Sequence, residues 1–174
     1  MKLRPAAVLL ALALCVVAVP HARADFNDGV VAYLMGDYER AYATMRSLAE
    51  ATDHAYAEYY LGMMYLRGQG VAQSYDEAAK WFLKSAQNRV PQAQSKLAEL
   101  YTEGRGLPRD YERAYAWYRV AAAHDHKLSI QALDKARSRL SPEELAEAEK
   151  LADQWIAQYG PGENAGQPFE IEPE

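Results

Sequence analysis

The segment Asp37-Tyr38-Glu39-Arg40-Ala41-Tyr42-Ala43 recurs unchanged as Asp110-Tyr111-Glu112-Arg113-Ala114-Tyr115-Ala116, and a relative, Ser74-Tyr75-Asp76-Glu77-Ala78-Ala79-Lys80, lies midway between them. A chain that repeats itself at such a period is built from supersecondary units too small to bury both their faces, so the units must stack and share a core. Around the second and third copies the period is 36 residues and pairs Ala57 with Ala93, Leu61 with Leu97, Tyr65 with Tyr101, Gly68 with Gly104, Gly70 with Gly106, Trp81 with Trp117 and Ala86 with Ala122.

Each unit reads as two helices. Ala57, Leu61, Met64 and Tyr65 fall at i, i+4, i+7 and i+8, one face of a first helix. Gly68-Gln69-Gly70 ends it, since paired glycines accept the positive φ of a helix end and tight turn. Ser74 with Glu77 predicts a capping box for a second helix whose buried side is Ala78, Trp81, Phe82 and Ala86. Trp81 and Trp117 are expected to be packing anchors between hairpins. The first unit has the second-helix segment without the glycine loop, Met35-Gly36-Asp37-Tyr38 joining its helices directly.

Ala57, Leu61-Gly62, Tyr65, Gly68-Gln69-Gly70-Val71, Tyr75, Ala78, Trp81-Phe82 and Ala86 resemble the consensus of the Sel-one-like repeat family, a branch of the tetratricopeptide-like helical repeats. Ala93, Leu97-Ala98, Tyr101, Gly104-Arg105-Gly106-Leu107, Tyr111, Ala114, Trp117-Tyr118 and Ala122 match it again. The resemblance implies an all-α fold, a right-handed superhelical solenoid of antiparallel helical hairpins whose first helices line a concave face, used as an adaptor in protein complexes. The loop-less first unit and Ala98 in place of Gly62 depart from the pattern.

The expected organisation is a cleaved signal peptide over 1–24, a divergent first repeat over 25–54, repeats over 55–90 and 91–126, capping helices within 127–159 and a disordered acidic tail over 160–174. The leader has Lys2 and Arg4, an apolar run over 6–19, Pro20 and the small-x-small site Ala22-Arg23-Ala24. Its apolar run is shorter than the roughly 20 residues a spanning helix needs. Cleavage after Ala24 removes Cys15, the only cysteine, and Leu14 stands where lipidation of that cysteine would want a small residue. It also removes Lys2, Arg4 and Arg23 and no acid, taking the formal charge from −5 to −8. Nucleic acid and anionic lipid are poor partners for such a chain. The short leader, the missing cysteines and the repeat composition point to the bacterial periplasm. Two final helices are expected over 127–140 and 142–159, the second with Ser141, Pro142 and Glu144 at its start and Leu145, Ala148, Leu151, Ala152 and Trp155 along one stripe.

The sequence supplies no catalytic constellation, no metal site and no cofactor motif. The Gly-x-Gly loops recur with the repeat, and no Gly-Lys-Ser/Thr follows either. His124 and His126, two apart, point to different sides of a helix. His54 and His126 lie two periods apart, so both read as polar junction residues. Glu99 and Glu103 sit one turn apart, as a solvated face does. Ser74 and Ser141 read as caps. The rival class, an envelope hydrolase acting on peptidoglycan or a cell-wall amide, would need a nucleophile or metal on the concave face.

Positions that differ between repeats are free to serve function. Tyr56, Tyr59, Tyr60 and Met63 correspond to Gln92, Ser95, Lys96 and Glu99 and form a strip at i, i+3, i+4 and i+7. Two readings of that strip stand open. Beside Lys96 and Glu99 it would suit a protein or peptide partner, because tyrosine offers contact area with a hydroxyl; alternatively it packs against the shorter first unit.

Overall fold

A computed structural model describes residues 25–162, and among these every regular element is a helix. The order is α1 (Phe26–Leu34), α2 (Tyr38–Thr52), α3 (Ala55–Arg67), α4 (Tyr75–Gln87), α5 (Pro91–Glu103), α6 (Tyr111–Ala123), α7 (Lys127–Arg137) and α8 (Pro142–Tyr159). The expected leader, its cleavage site and the tail beyond residue 162 lie outside the described residues.

The first three pairs form hairpins, α1 with α2, α3 with α4 and α5 with α6, and each second helix also packs on the first helix of the next pair. This is the solenoid the period demands. The predicted faces are the buried ones: Ala57, Leu61, Met64, Ala78, Phe82 and Ala86 are fully buried. Trp117 is buried as well, at 2% exposure, but Trp81 is only half-buried, with Lys84 Nζ 4.8 Å from its ring centroid. Trp81 is therefore a partial anchor: among the described residues no helix covers its outer face as α8 covers that of Trp117.

The departure at Ala98 also has a packing reason. A Cβ at Gly62 would lie 2.6 Å from the Phe82 ring, so the glycine makes room for Phe82. In the next repeat Ala98 takes that room, and the equivalent ring, Tyr118, sits further out at 8% exposure against 0% for Phe82.

Seven of these eight helices start on a side-chain cap, and the exception, α5, starts with Pro91 after Val90. Asp25, Asp37, Ser74, Asp110 and Ser141 accept a first-turn backbone N–H through their side chains. Ser141 and Glu144 form the complete reciprocal box. At Ser74 only half of the predicted box exists, since the Glu77 carboxylate pairs with Lys80 at 2.6 Å instead of reaching back to the cap. His54 and His126 are caps too: each Nδ1 accepts from the backbone N–H three residues on, at 3.2 and 3.3 Å. Before His54, Val90 and His126, the cap residues of α3, α5 and α7, stands a residue in the left-handed region, Asp53, Arg89 and Asp125, with φ of 48°, 62° and 58°. The junction between hairpins thus repeats in conformation at the 36-residue period without a glycine to mark it.

The C-terminal pair departs from the regular stack. Helix α7 ends at Arg137, three residues short of the predicted 140, and continues the array against α6. Helix α8 packs on α6 about as extensively as α5 does and has at most slight contact with α7. Trp155 lies 4.6 Å and Tyr159 5.7 Å from the Trp117 ring centroid. The carbonyl of Tyr159 accepts from Gln94 Nε2 at 3.0 Å and lies 3.1 Å from His124 Nε2. Helix α8 is thereby a brace laid back along the last complete hairpin.

Candidate functional site

The four-residue strip on α3 is divided between different surroundings. Tyr60 packs edge-on against Tyr33 and Phe26 of α1, with ring centroids 5.2 and 5.9 Å away. Tyr56 also faces Phe26 at 6.4 Å but remains 45% exposed. Tyr59 is half-buried between Tyr60 and Phe82, and burial raises its hydroxyl above the usual phenol range. Met63 is a core side chain at 6% exposure. Helix α3 turns one edge of the strip toward the first repeat and the other into its own hairpin, because four residues spanning two turns sweep across more than one neighbour.

Lys96 and Glu99, on α5, form an ion pair at 2.6 Å, with side chains 30% and 40% exposed. Glu99 stands at the meeting of two grooves, and Lys96 lines the first of them. The first, about 410 Å³, lies between the end of α3 and α5, and Arg67, Lys96, Glu99, Glu103 and Arg105 supply its charged walls. The second, about 260 Å³, lies between α5 and α7, where Glu99 and Glu103 face Lys135 and Arg139 across Tyr118. Burial pushes the Tyr118 hydroxyl up to about 12, and the neighbouring Glu99 carboxylate adds to the effect, so this phenol stays protonated as a hydrogen-bonding group.

Glu99 and Glu103, read from sequence as a solvated pair, are the shared wall of the two grooves. Arg67 was not apparent from the period. It donates to the Tyr33 hydroxyl at 3.1 Å, and that hydroxyl donates to Gln69 Oε1 at 3.0 Å, so the first repeat is tied to the glycine loop of the second. Lys135 and Arg139 were missed because α7 and the turn that follows it lie beyond the periodic stretch.

Two buried polar groups belong to the scaffold. The Glu58 carboxylate, 1% exposed, accepts from Asn88 Nδ2 at 3.0 Å, and burial raises its pKa above the carboxylate range. One period later Gln94 is 0% exposed and donates to the carbonyls of Ala86 and Tyr159. Among the described residues, no three or more His, Cys, Asp and Glu side chains are placed to hold a metal ion, and no helix is long and apolar enough to cross a membrane.

The family profile of the Sel1 repeat matches residues 55–89 and 91–126. No protein of curated function matches the chain. Among solved structures, the chain is similar to a protective antigen of uropathogenic Escherichia coli strains that displays an SLR fold, with 28% identity and a TM-score of 0.75 over 86% of this chain and 34% of that one. It is also similar to a Sel1 repeat protein from Oxalobacter formigenes, with 27% identity and a TM-score of 0.58 over 75% of this chain and 55% of that one. The chain therefore spans about a third of the first relative's length and just over half of the second's.

Proposed function

The chain belongs to the Sel1-repeat proteins through residues 55–126, and from that premise we propose that it is an exported, non-catalytic adaptor whose first-helix face holds a protein or peptide partner in the assembly or regulation of a cell-envelope complex. The observation that carries this reading is the run of two grooves that share Glu99 and Glu103. An extended segment can lie along α3, α5 and α7 with basic groups on the outer walls, Arg67, Lys96 and Arg105 at one end and Lys135 and Arg139 at the other, and acids between them. Such alternation selects a partner of mixed charge by register, since like charges brought opposite one another cost affinity. Tyr59, Tyr60 and Tyr118 add amphipathic surface beside the charged walls. Of the α3 strip, Tyr56 is the member offered most openly to a partner, and Met63 supports the face from below.

Export is proposed on the leader over 1–24, which predicts a mature protein beginning at Asp25 by amino-terminal mass spectrometry. The binding reading is tested with a photo-crosslinking amino acid placed at Arg67, Glu103 or Lys135 in the groove walls, or at Lys84 on a second helix, in cells that make the protein. Discrete adducts from the groove positions and none from Lys84 are expected. The double reversal Arg67→Glu with Lys96→Glu should weaken capture by tenfold or more, about 1.4 kcal/mol or above. Equal adducts from all positions, or unchanged capture by the double variant, would sink the assignment.

A further inference from the structure

Successive repeat junctions use the same positions, so each serves as a control for the next. Where the first repeat meets the second, Tyr42 of α2 lies over Tyr65 of α3, hydroxyl to hydroxyl at 2.8 Å and ring against ring edge-on at 5.9 Å. Arg46 reaches the Tyr42 hydroxyl at 3.5 Å. One repeat later Tyr101 takes the place of Tyr65, but Ala79 stands where Tyr42 stood and Leu83 where Arg46 stood. An aromatic ring and the arginine beside it have been subtracted from the joint.

The subtraction leaves a cavity of about 310 Å³ bounded by Ala79, Lys80, Leu83, Leu97, Tyr101 and Leu107. Leu83 on its rim is 38% exposed. A second groove, about 340 Å³, shares Leu83 and Tyr101 with it and runs on to Trp117, Trp155 and Tyr159. An open track therefore leads from the end of α8 to the place of the missing ring.

We propose that this cavity receives an aromatic side chain in cis, Phe169 of the chain's own segment 163–174. Phe169 is the only aromatic residue after Tyr159. Seven residues beyond Gly162, it can reach up to about 25 Å, at about 3.3–3.6 Å per extended residue, along a track that starts at Tyr159 itself. Ile171, two residues on and on the same side of an extended segment, suits the adjoining apolar groove. The charges agree in sign: the segment carries Glu163, Glu170, Glu172 and Glu174 and no base. Lys80 and Arg113 stand on the rims, although each also has an acidic neighbour, Glu77 and Asp110, and Asp76 lines the cavity as an opposing acid. Arg89 lies beside the departing chain, its guanidinium 3.5 Å from where a Cβ on Gly162 would be. In the filled state Phe169 meets Tyr101 as Tyr42 meets Tyr65. This occupancy concerns the cavity between α4 and α5 and does not depend on the reading of the charged grooves.

The chain has three phenylalanines, Phe26, Phe82 and Phe169, so biosynthetic 4-fluorophenylalanine yields a fluorine spectrum of three resonances. Phe169→Leu assigns the third. The expected result is a Phe169 resonance displaced from its position in a free peptide of residues 163–174, shielded from a soluble paramagnetic agent and unchanged on dilution. Ala79→Tyr, which restores the ring of the first junction, and Leu83→Arg, which restores its arginine, should each return that resonance to the free-peptide position while Phe26 and Phe82 stay in place. Should Ala79→Tyr move Phe82, Leu83→Arg at the exposed rim decides alone. A Phe169 resonance at the free-peptide position in the unaltered chain overturns the proposal, as does shielding that survives Leu83→Arg. Shielding that disappears on dilution assigns the ring to a second copy and also overturns it.

Discussion

Replacing Gly106 by alanine separates two roles that one glycine performs. Gly106 sits at φ 68°, as Gly36 sits at φ 80°, but their surroundings differ. A Cβ on Gly36 would meet nothing within 4 Å, whereas on Gly106 it would fall 2.2 Å from the carbonyl oxygen of Tyr75 and 2.7 Å from the amide nitrogen of Asp76. Those atoms belong to the start of α4 in the preceding repeat, so the glycine loop of one repeat rests directly on the backbone of another. Holding an L-residue in the left-handed region costs about 1–2 kcal/mol, offset by about 0.4–1 kcal/mol from the stiffer unfolded chain. Gly36→Ala should therefore cost on the order of 1 kcal/mol. Gly106→Ala adds a steric conflict that only separation of two backbones by roughly an ångström relieves, and overpacking of this kind costs about 1–3 kcal/mol. The expected total is about 2–4 kcal/mol, a fall in melting temperature of roughly 4–16 °C for a chain of this size. Gly70, whose Cβ would fall 2.3 Å from the carbonyl oxygen of Tyr38, should behave alike. Urea unfolding of the three variants, with midpoints compared at constant slope, measures the difference. If Gly106→Ala and Gly36→Ala lose the same stability within about 0.5 kcal/mol, the loop is not a rigid joint between repeats and the reasoning fails.

The two repeat tryptophans should respond unequally in the same assay. Trp117→Ala should cost about 3–5 kcal/mol because it leaves Trp155 and Tyr159 facing a cavity, and Trp81→Ala about 1–2 kcal/mol because its ring is already partly exposed. Equal losses would contradict the bracing role assigned to α8. A pH titration of stability tests the histidine cap: burial holds His126 below its ordinary pKa, with Lys96 adding to the effect and Glu99 opposing it. A cap that accepts through an unprotonated Nδ1 contributes fully above about pH 6.5 and is lost as the pH falls through the lowered folded value. Stability should decline by about 1 kcal/mol over that range, and His126→Asn, which keeps a capping acceptor without the titration, should flatten this component. A variant whose profile matches the parent's would remove His126 as its source.

The period of 36 residues and the positions that recur with it are enough to specify helical hairpins that must stack, because a repeat with one apolar face has nowhere else to bury it. Ala57, Leu61, Phe82 and Ala86 reach the core for that local reason, and Ser141 with Glu144 caps α8 for another. The candidate site was legible in part: Lys96, Glu99 and Tyr56 could be found by subtracting one repeat from the next, whereas Met63 could not be told from a surface residue until Phe82 and its neighbours stood around it. Arg67, Lys135 and Arg139 carry no periodic mark, and only the stacking of α3, α5 and α7 brings them to common grooves. Asp53, Arg89 and Asp125 share a left-handed conformation that their side chains do not announce, since the strain is imposed by the hairpins they join. Period and pattern act through contacts within a helix or a hairpin, which every copy of a repeat makes alike. The grooves, the turn of α8 back onto α6 and the second role of Gly106 arise between units, where different residues meet, and there the tertiary arrangement alone decides.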